Sequence, residues 1–504
     1  MLYRFALMPA FAPLILTTAL HSTSVIAAER VDLLSVWREA AQNNPDIAAA
    51  RANYQAVKEV VPQARAGFLP QLGAGANLGS TSTRMDSPKI KTTRSGLVWQ
   101  ANLSQPIFHI DRWFGFKAAK ATDAQAALQL SAAEQNLIMQ SAEVYFAVLR
   151  AQDNLASTRA EEAAFKRQRD LAEQRFAVGL GDRTDMLQAQ AVHDGAQAAR
   201  IIAERLVDDA FEALRGLTGQ HYRALEGIRH SLPILPPTPA DASAWVDAAM
   251  QQNLELQASQ QGIQAAVQTV RQNKSNHLPT LDAVAQYQKG DNDRLGFSNS
   301  GLPPRYSGDV EQSAIGLQLN IPIYSGGLTS AKVREAKARL TQAEQVSESM
   351  QRRVVQNARN LYRAVNADVA TVGARKQAIV SSQSALEVTE ASYELGTRTI
   401  LDLVEVQRQL YSAVRNYNDA RYDYILDNLR LKQTAGTLSP DDLAALAEYL
   451  KPDYDPDQDF LPPDLSEYSV YEMENKLAAL PTKALHPKHE ALLSPLGGLS
   501  RSTP

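Results

Sequence analysis

Ile315-Gly316-Leu317-Gln318-Leu319-Asn320-Ile321 alternates strictly between large apolar side chains and small or polar ones. Successive side chains of a strand point to opposite faces, so the segment reads as a β-strand with one apolar and one polar face. Three further segments share the pattern. Leu97, Trp99, Ala101 and Leu103 alternate with Val98, Gln100, Asn102 and Ser104. Leu72, Ala74, Ala76 and Leu78 alternate with glycines and Asn77, and Leu281, Ala283, Ala285 and Tyr287 form the fourth. Each approaches the roughly ten residues that a tilted strand needs to cross a bilayer. An apolar face backed by a polar one is what the wall of a water-filled barrel requires. A half-buried hairpin of a soluble domain alternates too, so the setting of the four segments has to discriminate.

That setting favours a membrane. The connections Thr81 to Ser95 and Gly290 to Glu311 are long and polar, rich in Ser, Asp, Arg, Gly and Pro, and are expected to be external loops. Pro106 and Pro322 fall at the expected strand-to-helix boundaries, where a missing N–H costs least. Four strands cannot close a barrel, since the smallest common ones use about eight. An open edge in lipid leaves unpaired backbone groups, each costing several kcal/mol. Identical chains must supply the rest, and a symmetric ring is the economical arrangement. Closure alone does not fix the number of chains.

Outward from the strands the chain is helical. Medium helices are expected from about Leu33 to Arg65 and Ala242 to Asn273, and very long ones from Arg112 to Val178 and Leu328 to Leu395. Return helices are expected from Asp185 to Leu214 and Thr399 to Thr434. Lys117 to Val178 contains neither Gly nor Pro and could extend roughly 90 Å. Leu130, Leu137, Val144 and Ala151 recur every seventh position, a spacing that favours a left-handed supercoil. Gly373 interrupts the second long run and would permit a local bend.

Landmarks recur in order. Trp37-Arg-Glu-Ala-Ala matches Trp245-Val-Asp-Ala-Ala, Leu69-Pro-Gln-Leu72 matches Leu278-Pro-Thr-Leu281, and Leu103-Ser-Gln-Pro-Ile-Phe108 matches Leu319-Asn-Ile-Pro-Ile-Tyr324. The mostly α chain with membrane β therefore reads as a tandem internal repeat. Residues 29–231 and 240–450 are the two copies, joined by the Pro-rich linker 232–239. Residues 451–504, rich in Pro, Ser and charge, are expected to be a tail that is largely disordered or draped over the surface. Residues 1–28 look like a cleaved signal, with Arg4, an apolar run from Phe5 to Leu20 and Val25-Ile-Ala-Ala28 at its exit.

The two copies share a helix–turn–helix. Ser392-Tyr-Glu-Leu-Gly-Thr-Arg-Thr-Ile-Leu-Asp-Leu-Val-Glu405 lets the backbone break at Gly396. Asp402 and Glu405, three apart, share one helix face below Arg398. Phe176 through Gly179 to Asp185 is a weaker copy with the same Gly-to-Asp spacing.

Composition excludes much else. With a net charge of −4 there is no global basic field for nucleic acid. Without cysteine, the chain has no disulfide, no thiolate metal site and no thioether-linked lipid. The eight histidines lack ligand-like spacing, and no phosphate loop or nucleophile elbow occurs, so no catalytic residue, metal or cofactor is expected. A non-channel periplasmic coiled-coil protein would account for the helices but not for the strands.

Asn44-Pro45, Leu69-Pro-Gln-Leu72, Leu319-Asn-Ile-Pro-Ile-Tyr-Ser-Gly-Gly327, Tyr393-Glu-Leu-Gly-Thr-Arg-Thr-Ile-Leu-Asp402 and Gly436-Thr-Leu-Ser-Pro-Asp-Asp-Leu443 together resemble the TolC family of outer-membrane channel-tunnel proteins, over roughly Val31 to Leu446. The resemblance implies a homotrimer: four strands per chain make about a twelve-stranded barrel in outer-membrane lipid, above a helical tunnel across the periplasm. It also implies docking, through a periplasmic adaptor, to an inner-membrane ABC or proton-driven transporter. By motif match Tyr393 and Arg398 fall on the family's gate network, with Asp185 as the acidic partner of Arg398. Asp402 and Glu405 match the acidic positions of the periplasmic constriction, the second being Asp in the best-known relative. About six carboxylates in a narrow throat would favour cations, and their crowding would raise some of their pKa values. Protein secretion is the expected cargo class, with multidrug efflux as the alternative. The missing lipidation cysteine weighs mildly against the lipoprotein branch of efflux ducts.

Overall fold

The computed structural model describes residues 30–87, 89–291 and 309–463. The expected signal at 1–28, the middle of the Gly290–Glu311 connection and the chain from 464 onward lie outside the described residues.

Each copy opens with short helices, α1 (Leu33–Asn43), α2 (Pro45–Lys58) and α3 (Val60–Ala66) in the first, α6 (Ala242–Gln252) and α7 (Leu254–Ser275) in the second. The single medium helix expected in each is thus broken, and the break has a local cause. Asn44 leaves the helix, accepts from the N–H groups of Asp46 and Ile47 at 2.9 and 3.2 Å, and is followed by Pro45 at the first helical position. Asn253 repeats the device, accepting from the Leu256 N–H at 3.0 Å. Both asparagines also tether a return helix, donating to the carbonyls of Leu217 and Thr434 respectively.

The strands are β1 (Gln71–Asp86), β2 (Lys89–Phe108), β4 (Thr280–Asp291) and β5 (Asp309–Asn320), in one antiparallel sheet of order β1-β2-β4-β5. Register puts like with like. Leu72 lies opposite Leu103, Leu103 opposite Ala285, and Ala285 opposite Ile315; the next row is Ala74, Ala101, Tyr287 and Ser313. Paired residues share a face, so the apolar sets of all four strands form one continuous surface, with Gly73, Asn102, Gln286 and Ala314 in a row on the other.

Two expectations about the sheet change. Thr81 to Ser95 is not an external loop for most of its length: β1 and β2 stay paired out to Asp86 and Lys89. Backbone pairing does not require apolar side chains, and the Ser and Thr of this stretch suit an extended chain. Pro106 lies inside β2 rather than beyond it, at an irregularity between Pro106 and Phe108. A residue without an N–H fits a bulge, and the bulge bends the strand into the helix. Pro322 follows β5 by two residues, ahead of Gly326 and Gly327 at φ 64° and 83°.

The long helices are α4 (Ile110–Ala177, 68 residues) and α8 (Leu328–Glu394, 67 residues). At 1.5 Å per residue each is about 100 Å long. α8 runs unbroken through Gly373. They return as α5 (Arg183–Thr218) and α9 (Ile400–Thr434). The main core lies midway along them, where Tyr145, Phe146, Leu149, Tyr411 and Tyr422 are almost wholly buried.

The first residues of the expected tail are ordered. After α10 (Pro440–Ala447), β6 (Leu450–Lys451) pairs antiparallel with β3 (Gly227–Ile228), and α11 (Pro456–Asp459) follows. Tyr454, Phe460 and Leu461 are buried. Residues 450–463 form a strap across the core because they have partners far away in sequence. A Cβ at Gly227 would fall 2.1 Å from the Tyr454 ring, Asn418 donates to the Phe460 carbonyl at 2.7 Å, and Tyr454 donates to buried Asp153.

Candidate constriction at the hairpin ends

Far from the sheet, α4–α5 and α8–α9 end in two turns with one backbone design. Gly179 and Gly396 sit at φ 73° and 71°, a conformation that costs side-chain-bearing residues free energy. Gly179 donates to the Phe176 carbonyl and Leu180 to that of Arg175; Gly396 donates to Tyr393 and Thr397 to Ser392. These paired bonds close the last turns of α4 and α8 in the same way. They leave Leu180 and Leu395 about four-fifths exposed.

The helix starts then diverge. Thr399 caps α9 in a reciprocal box: its N–H and hydroxyl donate to Asp402 Oδ2 at 3.0 and 2.9 Å, and its Oγ1 accepts from the Asp402 N–H at 3.3 Å. The Thr399 backbone N–H, its hydroxyl and then Arg398 hold the Asp402 carboxyl below its usual range. Within one chain Asp402 is therefore not the proton-retaining group that crowding would produce. The equivalent pair in the first copy is Asp182 and Asp185. Asp182 accepts from the Thr184 N–H at 3.3 Å, but a carboxylate has no proton to give Asp185. Among the described residues Asp185 has no hydrogen-bond or ion-pair partner. Thr399→Ala should speed amide exchange in the first turn of α9 about fivefold and raise the Asp402 titration. NMR exchange and pH titration of a hairpin-labelled sample would check both.

Arg398 faces Asp402 Oδ1 at 3.9 Å, both side chains largely exposed. Glu405 pairs with Arg408 at 3.2 Å and accepts from Gln409 at 3.5 Å. Tyr393 packs against the apolar seam joining the hairpins, where Phe165, Ala172, Ala189, Ile400 and Val404 are buried. Its ring lies 4.8 Å from the Arg175 guanidinium. One chain thus joins Arg398 to Asp402 and Tyr393 to Arg175, and does not join Arg398 to Asp185. Arg175 escaped the sequence reading because the second copy has Ser392 in its place.

A second polar cluster, also missed, sits in the core beneath the strap. Asp153 is fully enclosed, accepting from the hydroxyls of Tyr422 (2.7 Å) and Tyr454, and burial pushes its carboxyl up to about 6. His230 Nε2 donates to the Asp459 carbonyl at 2.9 Å and Nδ1 accepts from Arg421 at 3.2 Å. Burial, then Arg421, lowers the imidazole to about 4.

Comparison with known proteins gives the family and the fold. The family described as outer membrane efflux protein matches residues 36–220 and 245–437, one stretch in each copy. The chain is 35% identical over 442 residues to outer membrane protein TolC of Vibrio cholerae, covering 87% of this chain and 98% of that protein. It is 29% identical over 424 residues to the alkaline protease secretion protein AprF of Pseudomonas aeruginosa, covering 82% and 86%. Among solved structures, the outer membrane protein VceC of Vibrio cholerae superposes with a TM-score of 0.68 at 20% identity, covering 80% of this chain and 96% of that one.

Proposed function

The chain belongs to the outer membrane efflux protein family, and from that membership we propose that it is the exit duct of a tripartite export system. The family consists of outer-membrane channel proteins, not enzymes, and this chain is an outer-membrane protein of that kind. The observation that carries the proposal is the sheet. Its apolar surface runs from β1 to β5, and among the described residues the outer edges of β1 and β5 have no partner, which lipid does not tolerate. Three chains would close about twelve strands into a barrel, and the two long helix pairs of each would continue the bore into the periplasm.

In that assembly the hairpin ends form the periplasmic mouth. Asp402 and Glu405 from each chain line its constriction and favour cations, while Arg398, Asp185 and Tyr393 tie neighbouring hairpins. The exposed Leu180 and Leu395 offer an apolar tip where a periplasmic adaptor would dock, linking the duct to an inner-membrane ABC or proton-driven transporter. Type I protein secretion is favoured by the likeness to a protein named for alkaline protease secretion; the word efflux in the family's own description makes small-molecule efflux the alternative.

Deleting the gene in its native host tests the reading. The expected result is loss of one or more proteins from the culture medium, restored by the plasmid-borne gene. Unchanged secretion with raised sensitivity to small toxic compounds would transfer the assignment to efflux. If neither changed, the export role itself would fall.

A further inference from the structure

On the helix side the apolar face of the sheet ends in the row Phe108, Leu281 and Leu319. Just beyond that row the chain exposes another set of large side chains. Ile323 is 93% exposed, Tyr324 87% and Trp113 49%, with Ile107 and Ile321 beside them. The same level is basic, although the chain as a whole carries −4. The opening turns of α4 hold Lys117 and Lys120, the last turns of α7 hold Arg271 and Lys274, and α8 begins with Lys332, Arg334 and Lys337.

Many arginines of the helices meet carboxylates, as Arg200 does Glu162, Arg415 Glu161 and Arg430 Glu143. Three of the cations near the sheet lie on rings, as Arg175 does at the hairpin end. Lys117 Nζ is 5.1 Å from the Trp113 ring centre, Lys120 Nζ 4.7 Å from Phe116, and the Arg271 guanidinium 6.0 Å from Phe114. Among the described residues none of these three makes an ion pair. A cation resting on an aromatic face keeps its charge available to an outside anion. Exposed aromatics flanked by unpaired cations, directly below an apolar wall, match the level at which acyl chains give way to phosphates.

We propose that this collar binds the headgroups of anionic phospholipids in the leaflet facing the helices, in preference to zwitterionic ones. The proposal rests on the outer-membrane reading of the sheet and adds which lipid chemistry the rim selects. Having no cysteine for a thioether-linked lipid, the chain would hold its depth by this rim. Lys117 on the Trp113 ring and Lys120 on the Phe116 ring supply charge beside a tryptophan that serves as the reporter.

The trimer carrying Trp99→Phe, which removes the tryptophan of the apolar face, is reconstituted with phosphatidylglycerol and phosphatidylcholine in equal amounts, brominating one or the other. Trp113 emission should report a relative affinity about fivefold or more in favour of the anionic lipid, since each cation near a charged surface contributes about that factor. Lys117→Gln with Lys120→Gln should bring the ratio close to unity, in a trimer that still migrates as such when unheated. Equal quenching by both lipids, or a preference unmoved by the double substitution, would overturn the proposal. No quenching by either lipid would instead remove the bilayer placement on which it rests.

Discussion

Arg398→Ser should raise the single-channel conductance of the reconstituted trimer severalfold. The in-chain partner of Arg398 is weak: Asp402 lies 3.9 Å away, with the two side chains 61% and 41% exposed. So exposed a pair is screened by solvent and holds little, and Asp402 already accepts two bonds from Thr399. Asp185, by contrast, has no donor among the described residues, because the cap position three residues before it holds Asp182 rather than a hydroxyl. A guanidinium on one hairpin and an uncommitted carboxylate at the equivalent level of another are complementary across a subunit boundary. Three such ties at about a kcal/mol each would bias a closed mouth over an open one by roughly two orders of magnitude. Losing all three at once by one substitution should therefore change gating strongly and folding little.

The double variant Asp185→Asn, Tyr393→Phe should act in the same direction. Phe retains the ring that lies 4.8 Å from Arg175, so its effect isolates whatever the Tyr393 hydroxyl holds on another chain. Arg352→Ser is the control: its partner Glu348 is one turn away on the same helix, far from the hairpin ends, and conductance should stay where it was. Wild-type conductance in a correctly assembled Arg398→Ser trimer would refute the latch.

What the sequence disclosed and what it withheld follow from the range of the interactions. The strands were legible because a period of two survives any context: every apolar row in the sheet was present in the alternation of Leu72 to Leu78 and Ile315 to Ile321. The turns were legible because only glycine takes the left-handed conformation cheaply, which marks Gly179 and Gly396. The extension of the β1–β2 hairpin was not, since strand pairing beyond the membrane leaves no hydrophobic signature. Least legible was the strap. Its Pro and Asp content reads as disorder, and its anchors Asp153, Gly227 and Asn418 lie far back in the chain. Nor could one chain, in sequence or in structure, bring Arg398 to Asp185.

The strap should make stability depend on two opposed titrations that cancel in the wild type. Phe460→Ala alone should cost about 3–5 kcal/mol, as for other buried aromatics, so the strap is integral to the fold. Beneath it, Asp153 faces Tyr422, Arg421 and Asp419 from α9 and Tyr454 from the strap. Its carboxyl is raised from 3.8 to about 6, so the folded state holds a proton that the unfolded chain has lost. That contribution is fully present below pH 3.8 and declines as pH rises through about 6. His230 faces Arg421 and Tyr417 from α9, Asp459 from the strap and Lys376 from α8. Its imidazole is lowered from 6.5 to about 4, so its contribution is present above pH 6.5 and declines as pH falls through about 4. Between those limits folding takes up one proton at Asp153 and releases one at His230, and the slopes offset. Each substitution should expose the other group. In Asp153→Asn the thermal midpoint of the detergent-solubilised trimer, measured relative to wild type, should rise from pH 4 to 6. In His230→Gln, whose amide can still donate to Asp459 and accept from Arg421, it should fall over the same interval. Each trend corresponds to about 3 kcal/mol across two pH units. Differences from wild type that do not change with pH would mean that neither group changes its protonation on folding.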